Sequence, residues 1–456
     1  MKKRLLSLAL AGVMALSLAA CGGGSSNGGS STPETKAADS TNSGTADGGF
    51  TAKELQVNIW DNNQLAGLQQ IADEWSATSG VKVTINVVDW DNYWTLLEAG
   101  ASGGEMPDVF WMHSNTAQMY MENDLLLNLD EYIKADDSID MSKFYQGIVQ
   151  LYTRSDNGSV YAIPKDHDTI ALLYNKAIFD KYGVEYPNDD WSWEDVRDAA
   201  AKITEAGKAD GVYGYAGNTS NNQDFWYNIV YDYGAELVTE DHKATTIGSD
   251  QGKAAMEMVR QILEVAAPQT TVAETGTDSL FKSGLAGMIT QGSWMINTFY
   301  TAENASDYAW AMLPYGDANG NGQCDEGERQ SCYNGLGWAA AADVEDPAAC
   351  YSLISYFCSE AGQKKQAELG VTMGGMEGIS EAFASAFEGM DVSAFTRIEE
   401  EGKLFFRPYT RKTTVWEDAI QQDAFLPAWQ NPADAATMAA GCDKAQQIIT
   451  DAIANE

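Results

Sequence analysis

The residues whose types and spacing are most specific for chemistry lie between Asp317 and Glu328. Asp317, Asn319, Asn321, Gln323, Asp325 and Glu328 alternate through a loop that has Gly322 at its centre. Every position fits D-x-[DN]-x-[DN]-G-x5-E, in which side-chain oxygens and one carbonyl, here that of Gln323, surround Ca2+. Leu313 and Pro314 precede the loop and Ser331, Cys332 and Tyr333 follow it, so neither flank reads as helix. The expected ion is therefore structural and not a switch; the bland alternative is an acidic Asn/Gly surface turn. A second group suits polyols. Trp60, Asp61 and Asn62 end one strand-like segment, and Met112, His113, Ser114 and Asn115 end another. An indole covers the apolar C–H face of a pyranose, while amides and carboxylates bind its hydroxyl rim. The chain has no Gly-x-Ser-x-Gly, no His-Glu-x-x-His and no phosphate-cradling glycine loop, so no catalytic motif is legible. With three His and no Cys-x-x-Cys, zinc is not expected. Among 66 acidic residues a carboxylate pair for glycoside hydrolysis has no signature, which leaves a secreted glycan-active hydrolase as the rival class.

The elements that must position these groups alternate between strand and helix. Leu55 to Trp60 has strand period, Ala66 to Trp75 helical period, and Val81 to Val88 strand period again. Tyr93 to Ala99 reads as helix and Asp108 to Met112 as a short buried strand. Such alternation predicts an α/β fold whose ligand lies beyond the carboxyl ends of the strands. Further on, Thr169 to Tyr174 is an apolar strand, and Ser192 with Asp195 opens a helix running to about Thr204 as a capping box. Asp250 to Val265, Ala348 to Leu369 and Ala433 to Ala454 are expected helices.

The first fifty residues are not fold. Lys2, Lys3 and Arg4 precede an apolar run from Leu5 to Ala20, which is short for a membrane span of about 20 residues and suits a signal peptide. Leu18-Ala19-Ala20-Cys21 followed by glycines resembles the bacterial lipobox, whose Cys becomes the lipidated N-terminus. Residues 21–49 are rich in Gly, Ser, Thr and Asn and lack Val, Ile and Leu, which predicts a flexible tether. The formal charge of -38 repels nucleic acid and anionic headgroups, so neither is an expected partner; the membrane is reached only through the lipid. Beyond Cys21 five cysteines remain. Cys324 and Cys332 are close enough in sequence to staple the calcium-type loop. Cys350 and Cys358 stand ~12 Å apart if both are helical, too far to bridge.

Several motifs fall in one order: Gly103 to Phe110, Tyr161 to Pro164 with Leu173 to Lys176, Trp191 to Glu194, Phe281 to Gly284 with Gly287 to Ile289, and Gly292 to Trp294. Together they resemble the extracellular solute-binding proteins of bacterial sugar ABC importers, the group that includes maltose-binding proteins. The resemblance implies a two-lobed periplasmic-binding-protein fold with a multi-strand hinge, in which 50–163 plus 312–360 form one lobe and 164–311 plus 361–456 the other. It implies a sugar ligand, with Trp60, Asn62, Trp111, His113, Ser114, Asn115, Asp168, Trp294 and Trp416 as contacts, and membrane subunits of an ABC importer as partners. The family's Asp-Arg pair after the strand-end His is replaced by Ser114 and Asn115, so maltodextrin itself is not implied. A cation such as a polyamine would also suit an acidic, aromatic cleft.

Overall fold

In a computed structural model, residues 49–432 and 434–456 are described. The expected signal peptide, Cys21 and the tether up to residue 48 lie outside them. Among the described residues, eleven strands form two main sheets and one small one. They are β1 (Glu54–Ile59), β2 (Lys82–Val87), β3 (Val109–Met112), β4 (Ala162–Pro164), β5 (Ile170–Asn175), β6 (Tyr213–Tyr215), β7 (Ala286–Gly292), β8 (Tyr308–Met312), β9 (Gln330–Tyr333), β10 (Gly337–Ala340) and β11 (Lys403–Phe406).

The first sheet has the order β2-β1-β3-β10-β4. The three leading strands are parallel, as the helical crossovers between them require, and β10 returns antiparallel between β3 and β4. Alternation in β1 puts Leu55, Val57 and Ile59 into the core, against the helix Asn62–Ser79 through Leu68, Ile71 and Trp75. The second sheet has the order β6-β7-β5-β8. Its central strand β5 is buried on both faces, which explains an uninterrupted Ile-Ala-Leu-Leu-Tyr run. The helix Trp193–Gly207 covers this sheet, and its capping box forms as expected, Ser192 accepting from the Asp195 amide while Asp195 accepts from that of Ser192. A helix spans Asp250–Val265, the expected limits.

Three chain crossings join the two sheets. The first runs from β4 to β5 through Lys165, Asp166, His167, Asp168 and Thr169. The second was expected near Ala311, with 312 onward in the first lobe. The structure places it later, at Asn334 to Leu336. Residues 313–333 stay with the second sheet: Tyr315 bridges Ser192, the Gln330 amide donates to Asp232 at 2.5 Å, and the Cys332 amide donates to Asn228 at 2.7 Å. The third crossing also falls later than Glu360. The helices Pro347–Cys358 and Glu360–Glu368 both pack on the first lobe's helix Asn62–Ser79, and the chain reaches β5 and β8 only with the helix Ala394–Glu401. The single helix expected over 348–369 is broken at Ser359, where extended backbone lets the side chain cap Gly362. The crossings lie side by side, tied by bridges Asp166–Gly374 and Asp168–Asn334. Cys324 is exposed and Cys332 buried, and both are free thiols, so the expected staple is not made.

Candidate functional site

The carboxyl ends of β1, β2 and β3 carry one aromatic layer. Trp60 follows β1, and Trp90 and Trp94 stand on the helix Trp90–Gly103 that follows β2. Trp60 meets Trp90 edge-on at 5.1 Å, Tyr93 at 4.9 Å and Trp111 at 4.9 Å. Trp90 in turn meets His113 at 5.5 Å, and it remains 42% exposed, an unusual surplus of open indole. His113, Ser114 and Asn115 close β3. The His113 ring touches Asn115 Oδ1 through Nδ1 at 2.8 Å and Asn334 Nδ2 through Nε2 at 3.2 Å. Burial, helped by the Arg407 charge, pushes its pKa down to about 3, so the ring is neutral at physiological pH. Nε2 faces the Asn334 amide nitrogen, and Nδ1 faces both Asn115 Oδ1 and, at 3.3 Å, the Asn115 backbone amide.

Asn334 is the meeting point of the two walls. Besides His113 it reaches Gln223 Oε1 at 3.1 Å, in the loop that follows β6. Its carbonyl accepts from the Asp168 amide at 2.7 Å. Asp168 accepts at Oδ1 from Ser293 at 2.8 Å, just past β7, and burial followed by the neighbouring Asp166 pushes its carboxyl up to about 7. Trp294 comes next and is half-buried; its ring lies so close over Gly292 that a Cβ there would meet it at 1.8 Å, so only glycine allows this indole position.

Beneath these groups the first crossing holds charges out of water. Lys165 Nζ is 2.5 Å from Asp166 Oδ2 and 2.8 Å from Gln64 Oε1. Asp166 Oδ1 accepts from the Leu336 amide at 2.6 Å. His167 meets the Gly374 carbonyl at 2.5 Å and Glu399 Oε1 at 2.8 Å. Burial opposes its protonation, but Glu399 and the carbonyl outweigh that and hold the pKa above the ordinary histidine range. Further along, Arg407 pairs with Glu417 at 2.8 Å, and Glu417 accepts from Tyr227 at 2.7 Å.

Of the sequence-predicted contacts, the structure brings together Trp60, His113, Ser114, Asn115, Asp168 and Trp294. Three differ. Trp111 is fully buried, packed between Trp60 and Trp338 with Lys165 Nζ 4.6 Å above its ring, and presents no face to a ligand in this conformation. The stacking expected of it finds no open face here, because Trp60 and Trp338, the latter directly opposite on β10, occupy the space around its ring. Trp416 is also fully buried, its indole N–H bonded to Thr410, because its helix packs into the C-terminal helices. Asn62 is exposed at the start of its helix, where the capping partner of the Asn63 amide is Asp61. Trp90, Gln223, Asp224, Asn334 and Arg407 were missed. Trp90 was findable, since Asp89-Trp90 follows the second strand as Trp60 follows the first. Asn334 and Arg407 carry no local signal; only the crossings bring them here.

The loop Asp317–Glu328 closes on itself away from these walls. The amides of Asn321 and Gly322 donate to Asp317 at 2.9 and 3.0 Å, and that of Gln323 to Asn321 at 2.7 Å. Asn319 and Asn321 both reach Asp325 at 2.8 Å, and Asn319 also reaches Glu328 at 3.1 Å. Among the described residues no three His, Cys, Asp or Glu side chains gather as metal donors; in this loop Asn amides stand between the carboxylates.

Residues 60–364 match the family model described as bacterial extracellular solute-binding protein. A solved ABC substrate-binding protein of Listeria monocytogenes, in complex with cycloalternan, superposes with a TM-score of 0.76 at 19% identity, covering 88% of this chain and 99% of that one. The GacH receptor of Streptomyces glaucescens, solved unliganded and with acarbose, gives 0.71 at 21% identity over 88% and 99%. An uncharacterized lipoprotein encoded in the oleD 5′ region of Streptomyces antibioticus is 25% identical over 283 residues, 59% of each chain. The chain spans less than two thirds of the length of the curated relatives it matches. No described helix is long and apolar enough to cross a membrane. With a family match over well above half its length, on a two-sheet frame joined by three crossings, the chain belongs to the bacterial extracellular solute-binding proteins.

Proposed function

We propose that this chain captures a sugar, an oligosaccharide, between its two lobes and delivers it to the membrane subunits of an ABC importer without transforming it. The observation that carries the reading is the aromatic cluster of Trp60, Trp90 and Trp94 at the ends of β1 and β2, linked through His113 to the polar group of Asn334, Gln223, Asp168 and Ser293. An open indole in an aromatic cluster, beside mixed donors and acceptors, suits a pyranose, which has apolar faces and a hydroxyl rim. Oligosaccharides in the Listeria and Streptomyces structures support the same class. Melting the full chain with maltotetraose, cellotetraose, xylotetraose, a glucosamine tetramer and spermidine tests it. Saturation at 100 times the dissociation constant adds about 2.7 kcal/mol of stability. At least one glycan is expected to raise the melting temperature; a shift with spermidine alone would replace sugar by polyamine as the ligand.

The anchor belongs to the same reading. Leu18 to Cys21 and the lipoprotein relative support lipidation at Cys21, which would hold the body at the outer face of the cell membrane on its tether. Cys21→Ser is expected to move the protein from the membrane pellet to the soluble fraction, and unchanged fractionation would remove the lipid from the account.

A structural Ca2+ in the loop Asp317–Glu328 is a second, independent proposal, favoured by the way Asp317, Asn319, Asn321, Asp325 and Glu328 already turn inward. Those side chains and the Gln323 carbonyl would be the donors, once the two amides present oxygen instead of nitrogen. A site of about 10⁻⁴ to 10⁻³ M suffices outside the cell. Chelation is expected to lower the melting temperature of the wild type and to leave Glu328→Gln unaffected. Identical melting of both proteins with and without chelator would reduce the motif to a hydrogen-bonded turn.

A further inference from the structure

One buried carboxylate near the walls of the cleft has no partner. Asp224 lies in the loop after β6 and is 1% exposed, and its Oδ1 meets no donor among the described residues. The other buried acids of this region are each matched: Asp166 by Lys165, Glu417 by Arg407, and Asp168 by the Ser293 hydroxyl. The neighbouring charge that bears on Asp224 is a second carboxylate, Asp278, which is itself held by Gln291 at 2.6 Å. A carboxyl taken from water with no donor beside it destabilises the fold, so packing alone gives no reason for it.

Its position gives one. The preceding residue, Gln223, is bonded to Asn334, which also meets His113 of the first sheet. The following residue, Phe225, packs on Tyr215 at the end of β6, at 5.5 Å. Asp224 therefore stands at the carboxyl edge of the second sheet, one residue from the contact between the lobes. Asn334 has an acceptor to spare there as well, since its Oδ1 is buried without a partner. Two acceptors here lack donors, and the nearby Arg407 guanidinium is already paired with Glu417 through Nη2, its buried Nη1 being left without a partner; the two acceptors call for donors from outside.

We infer that Asp224, with Asn334 Oδ1, is the second lobe's recognition point for a hydrogen-bond-donating group of the ligand: adjacent hydroxyls of a neutral sugar, or the ammonium of an amino sugar. This rests on the sugar-binding reading, and its test separates the two.

In the full chain, Asp224→Asn keeps the shape and removes the unpaired acid. Without ligand it is expected to melt above the wild type at pH 8, because a group kept for binding is a liability to the empty fold. A lower melting temperature would show that the carboxylate has a structural partner and overturn the assignment. The second readout is calorimetric affinity for maltotetraose, cellotetraose, xylotetraose and the glucosamine tetramer. Asp224→Asn is expected to weaken whichever the wild type binds by about tenfold or more. Loss confined to the glucosamine tetramer identifies ammonium as the donor; loss on a neutral glycan identifies hydroxyls. Equal affinity of wild type and variant overturns the role of Asp224 while sugar binding stands. If the wild type binds none of the four, the sugar reading falls, and with it the ligand group assigned to Asp224.

Discussion

Lys165→Met is expected to lower the unfolding free energy by about 3–5 kcal/mol, the usual consequence of removing one partner from a buried ion pair. Lys165 is fully buried, and its ammonium touches Asp166, Gln64 and the face of Trp111. Methionine restores most of the volume but leaves the Asp166 carboxylate with only the Leu336 amide and the Thr372 hydroxyl. Lys165→Met combined with Asp166→Asn removes both charges and should recover much of the loss, since the penalty comes from the stranded charge. Urea unfolding of both single variants and the double variant closes the cycle. A Lys165→Met protein as stable as the wild type would mean that the pair does not hold the first crossing.

Trp111→Ala should do its damage to folding. A fully buried indole between Trp60 and Trp338, deleted to Ala, costs about 3–5 kcal/mol through lost burial and the cavity left behind. The role expected from the sequence was stacking on a sugar, which predicts intact stability and affinity weakened by about 1–3 kcal/mol. The two roles separate when melting and glycan affinity are measured on one preparation. A variant with wild-type melting and lost affinity would restore Trp111 to the ligand site. The contrast with Trp90 is physical: Trp90 remains open beyond β2, whereas Trp111 lies inside β3, beside the strand of residues 337–340 whose Trp338 packs against it.

How far the site was legible follows from what kind of information each residue needed. Trp60 and His113 were found because the period-two alternation of β1 and the apolar run of β3 stop at them, and in parallel sheets chemistry gathers where such strands stop. The helix at 193 announced itself through Ser192 and Asp195, whose mutual bonds are entirely local. The parallel opening of the first sheet, and the helices Asp250–Val265 and Ala435–Ala454, were likewise legible from periodicity.

The tertiary structure alone decided which aromatics are walls and which are core. Trp60, Trp111 and Trp294 look alike in sequence, each beside or within an apolar strand. Trp338 covers Trp111 because β10 pairs it directly opposite, after the chain has built the whole second sheet and returned. Asn334 joins the two walls only because that return begins there, and residues 313–333 stay with the second lobe through Asp232 and Asn228, partners far away in sequence. Local spacing reports the period of an element and where it ends; burial depends on which distant segment lies against it, and that is settled only when the sheets assemble.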